Sequence, residues 1–304
     1  MKKFNYEALG THWQINIYNE ISDQEFDDLK QSILSITQEF ENNFSRFIKT
    51  SWIWKLAEKT GTFTVPKDLT RMLGVCFMLY ESTNKKLNPL IGNTLRDLGY
   101  DENYSLKAQE NIRKTPDLIE TIELINQTKI KINAPIVLDF GAMGKGYLVD
   151  KIGTYLESKN IDHYLVNGSG DIKHKGPTPI KVGLEDPADP TKVIGTIEIQ
   201  NTSMCSSSGN RRAWNGHHHI IDPEDATSPD EIIASWVITG YTDIADGLAT
   251  ALFLTPPESL KYINEETIGP PEEKLGRIFE YCLLNKARKI KHSSGFNAEF
   301  FSND

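Results

Sequence analysis

Between residues 11 and 40 the apolar period of the chain changes from two to 3.6, which commits it to a fold using both strands and helices. Residues 11–18, THWQINIY, place Trp13, Ile15 and Ile17 on one face, the alternation of a half-buried strand. Ser22 and Glu25 then form a capping box ahead of Phe26, Leu29, Ile33, Ile36 and Phe40. Their 3-4-3-4 spacing predicts an amphipathic helix.

The rest of the chain continues this mixture. A helix is predicted over 68–84, with Leu69, Met72, Leu73, Cys76 and Leu79 inward. It ends near Asn84, ahead of LNPLIGN, where Pro89 forbids easy continuation. Two short β-like runs, TIELI and KIKI, flank Asn126–Gln127. A helix over about 144–158 leads into HYLVNGSGD, a strand with a Gly/Ser turn. IKVGLED, IGTIEIQ and WVITGY follow as short strands separated by Pro, Asp and Gly turns. A helix over 243–254 is stopped by Pro256 and Pro257, and the tail 258–304 reads as a charged helix followed by weak strands. No regular βαβ period runs through these elements. The expected class is therefore α+β, in one globular unit spanning residues 1–304.

Bulk properties narrow the function classes. A formal net charge of -9 over 304 residues argues against nucleic acid as a partner, because phosphate binding needs clustered Lys and Arg. Near the N-terminus Asn5, Glu7 and Gly10 interrupt what a secretory leader needs to be a continuous apolar run. No run approaches the roughly 20 apolar residues of a membrane span. Cys76, Cys205 and Cys282 are odd in number, far apart and set among apolar or small neighbours, so buried free thiols are expected. These features point to the cytoplasm.

Four segments carry candidate chemistry. LDFGAMGKGYLVDKI, residues 138–152, sets Asp139, Gly141, Gly144, Lys145 and Gly146 at a helix start. Glycines let a backbone approach a ligand, free N–H groups attract anions, and a lysine adds a point charge. The stretch suits a phosphate, although the same residues also make an ordinary glycine-rich turn. It matches neither the Walker A nor the GxGxxG spacing. In TDIADGLATALFL, Asp246 and Thr250 stand at i and i+4, on one helix face. They offer two hard oxygens of the kind Mg²⁺ takes, or else a solvated Asp and a back-bonded Thr. NGHHHIIDP places His217, His218 and His219 in a row, and alternate faces prevent all three from binding one metal. One inward His could act as acid or base, or simply be hydrogen-bonded. SSSGN and NGSGD are small-residue turns that say little alone.

Taken in order, these segments resemble the ApbE family of flavin transferases. LGTHWQINIY is similar to the family's Met-Gly-Thr strand, and FSRFIKTS to its Ser-x-Phe/Tyr…Ser segment. LNPLIGNTLRDLGYD resembles Pro-x-x-Gly-Pro-Leu…Trp-Gly-Phe, and LDFGAMGKGYLVDKI resembles Asp-Leu-Gly-Gly-Ile-Ala-Lys-Gly-Tyr-x-x-Asp. VNGSGDI, VGLEDP, SSSGN, HIIDP and ADGLATALF complete the series. The resemblance implies an α+β, T-fold-related architecture of mixed sheets flanked by helices. It also implies a Mg²⁺-dependent enzyme that takes FAD as substrate. Such an enzyme transfers FMN to a Thr or Ser hydroxyl of an acceptor flavoprotein through a phosphoester, releasing AMP.

By the same carry-over, the Asp246 carboxylate, the Thr250 hydroxyl and the Ala142 carbonyl match metal ligands. Asp139 and Lys145 match residues that contact FAD. Phe47, Leu9 and Ile220 match pocket positions, Leu98, Gly99 and Tyr100 match the Trp-Gly-Phe contacts, and His219 matches the proposed catalytic histidine. The chain departs from the family pattern at Leu9, Trp52, Ala57 and Leu98, positions that bear on the flavin pocket more than on the metal site. Two alternatives stand beside this expectation, the first suggested by those departures and the second by an activity that some members of the family show. One is a protein that holds FAD without transferring it; the other is a pyrophosphatase that releases FMN and AMP to water.

Overall fold

The computed structural model describes residues 1–57, 59–264 and 279–301. Strands β1 (Lys2–Ala8) and β2 (Thr11–Ile17) open the chain as a hairpin. Its two-residue turn, Leu9–Gly10, has φ of 52° and 67°, the positive values that a type I′ turn needs at both positions. Leucine is strained there, and the Leu9 N–H donates to Glu41 Oε1 at 2.7 Å, which ties the turn to the helix that follows. That helix, α1 (Asp23–Phe44), begins at the anticipated capping box, with Ser22 and Glu25 each accepting from the other's backbone N–H. Its buried stripe is Leu29, Ile33, Thr37, Phe40 and Phe44.

After β3 (Gly61–Thr64), α2 (Lys67–Ser82) buries all five anticipated residues together with Tyr80. Asn84 and Lys85, both at positive φ, end it. Pro89 opens a 3₁₀ turn that runs into α3 (Gly92–Asp97), and α4 (Leu118–Thr121) precedes a hairpin of β4 (Ile122–Asn126) and β5 (Lys129–Ile132). β5 also pairs with β3, making a three-stranded sheet. Then come α5 (Gly144–Ser158), β6 (Tyr164–Asn167), β7 (Ile172–Lys175), β8 (Ile180–Asp186), β9 (Asp189–Ile199) and β10 (Ser203–Ser208). The two-residue strands β11 (Ala213–Trp214) and β12 (His217–His218) form a small ribbon. β13 (Ile232–Thr239) and α6 (Thr242–Leu254) follow. The anticipated charged helix of the tail lies mostly outside the described residues, whose last turn before it is a 3₁₀ helix at Pro257–Asn264. The weak strands of the tail are β14 (Glu280–Asn285), β15 (Ile290–His292) and β16 (Ala298–Phe300).

Eight strands form the central antiparallel sheet, in the order β1-β2-β6-β7-β10-β13-β14-β15. Alternation along β13 shows how its faces are used. Val237 packs into the cluster around α6, and the Ser235 hydroxyl donates to the Ala249 carbonyl of α6. Ala234 and Trp236 face the other way, onto Leu184 of β8 and Ile197 of β9. Helices therefore cover one face, and the three-stranded sheet β16-β9-β8 covers part of the other. Trp13, Ile15 and Ile17 of β2 join α1, α2 and α5 in the largest core cluster. Each fully buried side chain of this kind contributes about 1.5–3 kcal/mol. Cys76, Cys205 and Cys282 are free and buried. Among the described residues no helix is long and apolar enough to cross a membrane.

Candidate active site

The site lies where the first turn of α5 packs against α6. A Cβ on Gly146 would come within 2.3 Å of the Thr242 carbonyl oxygen and 2.8 Å of Asp246 Cβ, so only glycine permits this approach. In the contact the Gly146 N–H, one of the donors a helix start leaves free, donates to Asp246 Oδ2 at 3.0 Å. One turn further along α5, Asp150 accepts from the N–H groups of Thr242 and Asp243 at 2.7 and 3.0 Å and from the Thr242 hydroxyl at 2.9 Å. Asp150 thereby caps α6 from a neighbouring helix and holds Lys173 as its counter-charge at 2.7 Å. Every residue of α6 is buried, so Asp246 is not the solvated residue of an amphipathic face.

Charge concentrates at this contact. Lys145 Nζ is ion-paired with Asp171, which is 0 % exposed, and lies 3.5 Å from Asp246 Oδ1. Burial pushes the Asp171 carboxyl above the ordinary carboxylate range, and burial together with repulsion from Asp171 does the same to Asp246. Burial also pulls the Lys145 ammonium down, but the two acids outweigh it and hold Lys145 above the usual lysine value. Asp171 Oδ1 is buried with no hydrogen-bond partner among the described residues. Thr250, one turn after Asp246, shares a hydrogen bond with the Ser207 hydroxyl at 3.3 Å.

Two cavities flank this cluster. The first, about 290 Å³, is lined by nine of the residues nominated from the sequence: Leu9, Phe47, Tyr100, Asp139, Ala142, Lys145, His219, Ile220 and Thr250. The second, about 540 Å³, is lined by Asp246 with Lys145, His219 and Thr250, and by Asn167 and Ser206, Ser207 and Ser208 of β10. Leu98 and Gly99 line neither. Leu98 sits behind the first cavity in a small cluster with Leu95, Tyr100, Trp214 and Ile221, and its carbonyl accepts from the Trp214 indole N–H at 2.9 Å.

Aromatic rings form one side of the first cavity. Phe47 lies parallel to Tyr104 at 5.2 Å and edge-on to Tyr100, and Tyr100 stacks on Trp214 at 5.3 Å. The Arg46 guanidinium lies 4.2 Å from the Phe47 ring centre and 4.8 Å from that of Tyr100, and pairs with Asp139. The Gly141 N–H donates to the other Asp139 oxygen at 2.6 Å.

The three histidines separate as adjacent residues should. His218 is satisfied, its Nε2 at 2.8 Å from the Pro229 carbonyl and its Nδ1 accepting from Ile220 N–H at 3.2 Å. Of the three, only His219 lines the cavities, and it lines both. His219 is half-buried as a residue, yet its Nδ1 is fully buried and without a partner among the described residues. Burial, then the charges of Arg212, His218 and Lys145, holds its imidazole well below the usual histidine value, so the ring is neutral at neutral pH.

Sequence reasoning passed over Arg46, Tyr104, Asp150, Asp171 and Arg212. Arg46, Asp150 and Asp171 stand inside quoted motifs, and that adjacency was the available signal. Tyr104 and Arg212 carry no local pattern.

The family model described as the ApbE family matches residues 9–269. A curated relative from Vibrio cholerae, an FAD:protein FMN transferase, is 24% identical over 275 residues, covering 83% of this chain and 80% of its own. The FAD:protein FMN transferase of Haemophilus influenzae is 25% identical over 259 residues, 78% of this chain and 75% of its own. Among solved structures, the ApbE protein of Thermotoga maritima superposes with a TM-score of 0.81 at 18% identity, over 97% of each chain. The flavin transferase ApbE of Vibrio cholerae gives 0.75 at 20% identity, over 97% of this chain and 98% of its own.

Proposed function

The chain belongs to the ApbE family, and from that premise we propose that it is an FAD:protein FMN transferase. In this reading it is a Mg²⁺-dependent enzyme that moves FMN from FAD to a Thr or Ser hydroxyl of an acceptor flavoprotein and releases AMP. The observation that carries the reading is the convergence of His219, Lys145 and Thr250 on the wall shared by two cavities, with Asp246 on the floor of the second. A dinucleotide has two halves joined by a diphosphate, and that wall is where the diphosphate would lie.

The residues present suit Mg²⁺. Asp246, the Thr250 hydroxyl and the Ala142 carbonyl are hard oxygens, and the buried Asp171 Oδ1 is an acceptor still without a partner among the described residues. Among the described residues no three His, Cys, Asp or Glu side chains converge, so Asp246 would be the main anionic ligand. When bound, the ion neutralises charge on the diphosphate oxygens, the chief demand of phosphoryl transfer.

The chain's own groups supply the rest. The acceptor hydroxyl attacks the phosphorus on the riboflavin side of the bridge. One P–O bond forms, the bridging P–O bond breaks, AMP leaves with the electron pair, and the hydroxyl proton passes to His219. A neutral imidazole is the form that accepts a proton. Two of the charges that depress its basicity, Arg212 and Lys145, are those a bound diphosphate would offset. Phe47 and Tyr100, which line the first cavity, supply aromatic surface for the ring system of the ligand.

Incubation of the full chain with FAD, Mg²⁺ and a flavoprotein domain bearing an acceptor Thr tests the reading. Covalent flavin fluorescence on the acceptor is expected. FMN and AMP without labelled acceptor would mean a pyrophosphatase, and bound, unchanged FAD a binding protein. His219→Ala should keep FAD binding and slow transfer by about 10²–10⁴-fold, the usual contribution of a general base. Full transfer by that variant removes His219 from the mechanism, and either reaction surviving Asp246→Ala removes the metal assignment.

A further inference from the structure

We propose that Arg212 is the residue that reads the diphosphate bridge of a dinucleotide, acting as a cation between the two cavities that no described acid pairs. The inference rests on the reading of this site as an FAD site.

Elimination leads to it. Five Lys or Arg side chains line the two cavities: Arg46, Lys86, Lys145, Arg211 and Arg212. Four are already matched by acids. Arg46 pairs with Asp139, and Lys86 with Asp222 at 2.6 Å. Lys145 pairs with Asp171 and Asp246, and Arg211 with both oxygens of Glu185 at 2.7 Å. Among the described residues the Arg212 guanidinium has neither an ion pair nor a hydrogen bond. A cation next to a cavity with no acid to balance it is a site prepared for an anion from outside.

Its position fits an anion that spans both spaces. Arg212 borders each cavity, as do Lys145 and His219. Its charge is felt on both sides, lowering the proton affinity of Tyr100 in the first cavity, of Asp171 beneath the second, and of His219 between them. Arg212 ends a 3₁₀ turn at Gly209–Arg212, and its carbonyl accepts the His219 N–H at 3.1 Å. Cation and candidate base are thus held by one piece of backbone.

The chemistry of the side chain favours a diphosphate over a lone carboxylate or a neutral ring. A guanidinium presents a planar fork of donors that meets two phosphate oxygens at once, whereas an ammonium acts as a point charge. Lys145 is held in place by two buried acids, so the fork of Arg212 is the group able to turn toward the bridge. A ligand without phosphate gains nothing from it.

The test compares ligands as well as variants. Wild type, Arg212→Gln and Arg212→Lys are titrated with FAD and with riboflavin, following flavin fluorescence, in Mg²⁺ and again in EDTA. The Gln variant should bind FAD about 10- to 100-fold more weakly, the range expected for losing a charge-assisted fork to phosphate. Its riboflavin affinity should stay within about twofold of wild type, and the Lys variant should fall between for FAD. No described contact of the fold depends on the Arg212 side chain, so the thermal midpoint should not move. FAD binding by Arg212→Gln within twofold of wild type overturns the proposal. So does an equal loss for riboflavin, which would make the residue merely structural. A wild-type chain that binds riboflavin but not FAD overturns both this proposal and the FAD reading; wild-type FAD binding with an unaffected variant overturns this one alone.

Discussion

Replacing Gly146 with alanine sets two effects against each other, and the structure decides the sign. Helix propensity alone predicts a gain, since alanine is better than glycine inside a helix by about 1 kcal/mol. Packing predicts a loss. The new methyl would lie 2.3 Å from the Thr242 carbonyl oxygen, 2.7 Å from its carbon and 2.8 Å from Asp246 Cβ. None of these atoms can rotate away, so α5 and α6 must move apart. Overpacking of this kind costs about 1–3 kcal/mol. The separation also weakens the bond from Gly146 N–H to the buried Asp246 carboxylate, and bonds to charged groups contribute about 1.5–3 kcal/mol. Set against the propensity gain, the net loss is about 1.5–5 kcal/mol. Urea unfolding measures it as a lower midpoint at unchanged slope. FAD titration of the folded variant should show weakened binding, because Lys145 and Asp246 no longer keep their spacing. A Gly146→Ala chain as stable as wild type would refute the close helix contact and the site built on it.

Asp150→Ala removes the acceptor that caps α6 and leaves Lys173 without its counter-charge. The expected loss is about 3 kcal/mol by urea unfolding, with Asp150→Asn losing less because it keeps an acceptor oxygen. Asp97 governs part of the acid limb of stability. Burial works to raise its carboxyl, but the Arg113 guanidinium at 2.6 and 2.7 Å and the Arg113 N–H at 3.0 Å outweigh it and hold it below the usual aspartate value. A depressed folded-state value means that the stabilisation is complete above the unfolded-state value, about 4, and is lost as pH falls through the folded-state value. Urea midpoints followed downward from pH 5 should therefore fall less steeply for Asp97→Asn than for wild type, and equal slopes would refute the assignment.

Elements that bury one face were legible in the sequence. α1, α2 and α5 were anticipated within a few residues because each turns a stripe of apolar residues into the core. β3 was not: it has four residues, none of them fully buried. β1 does alternate, with Phe4, Tyr6 and Ala8 turned inward and Lys3, Asn5 and Glu7 exposed, but only Phe4 and Ala8 are fully buried. α6 was placed correctly but its surroundings were not, because a helix buried on all sides has no polar stripe, and its acids are tolerated only through groups far away in the chain. Gly146 meets Asp246 across 100 residues, and Asp150 meets Thr242 across 92.

The same reasoning explains which site residues could be nominated. Glycines at a helix start, or an acid and a hydroxyl four apart, are local requirements, and spacing carries them. The role of a cation is different, because it depends on which acid reaches it. Arg211 and Arg212 are adjacent and chemically identical, and no property of the segment NRRAW distinguishes them. The fold does. It brings Glu185 of β8 to Arg211, closing both guanidinium bonds onto one carboxylate, and it turns Arg212 to the wall between the cavities, where no described acid meets it. The distinction therefore comes from how the small sheet seats on the large one, through Leu184 and Ile197 against Ala234 and Trp236.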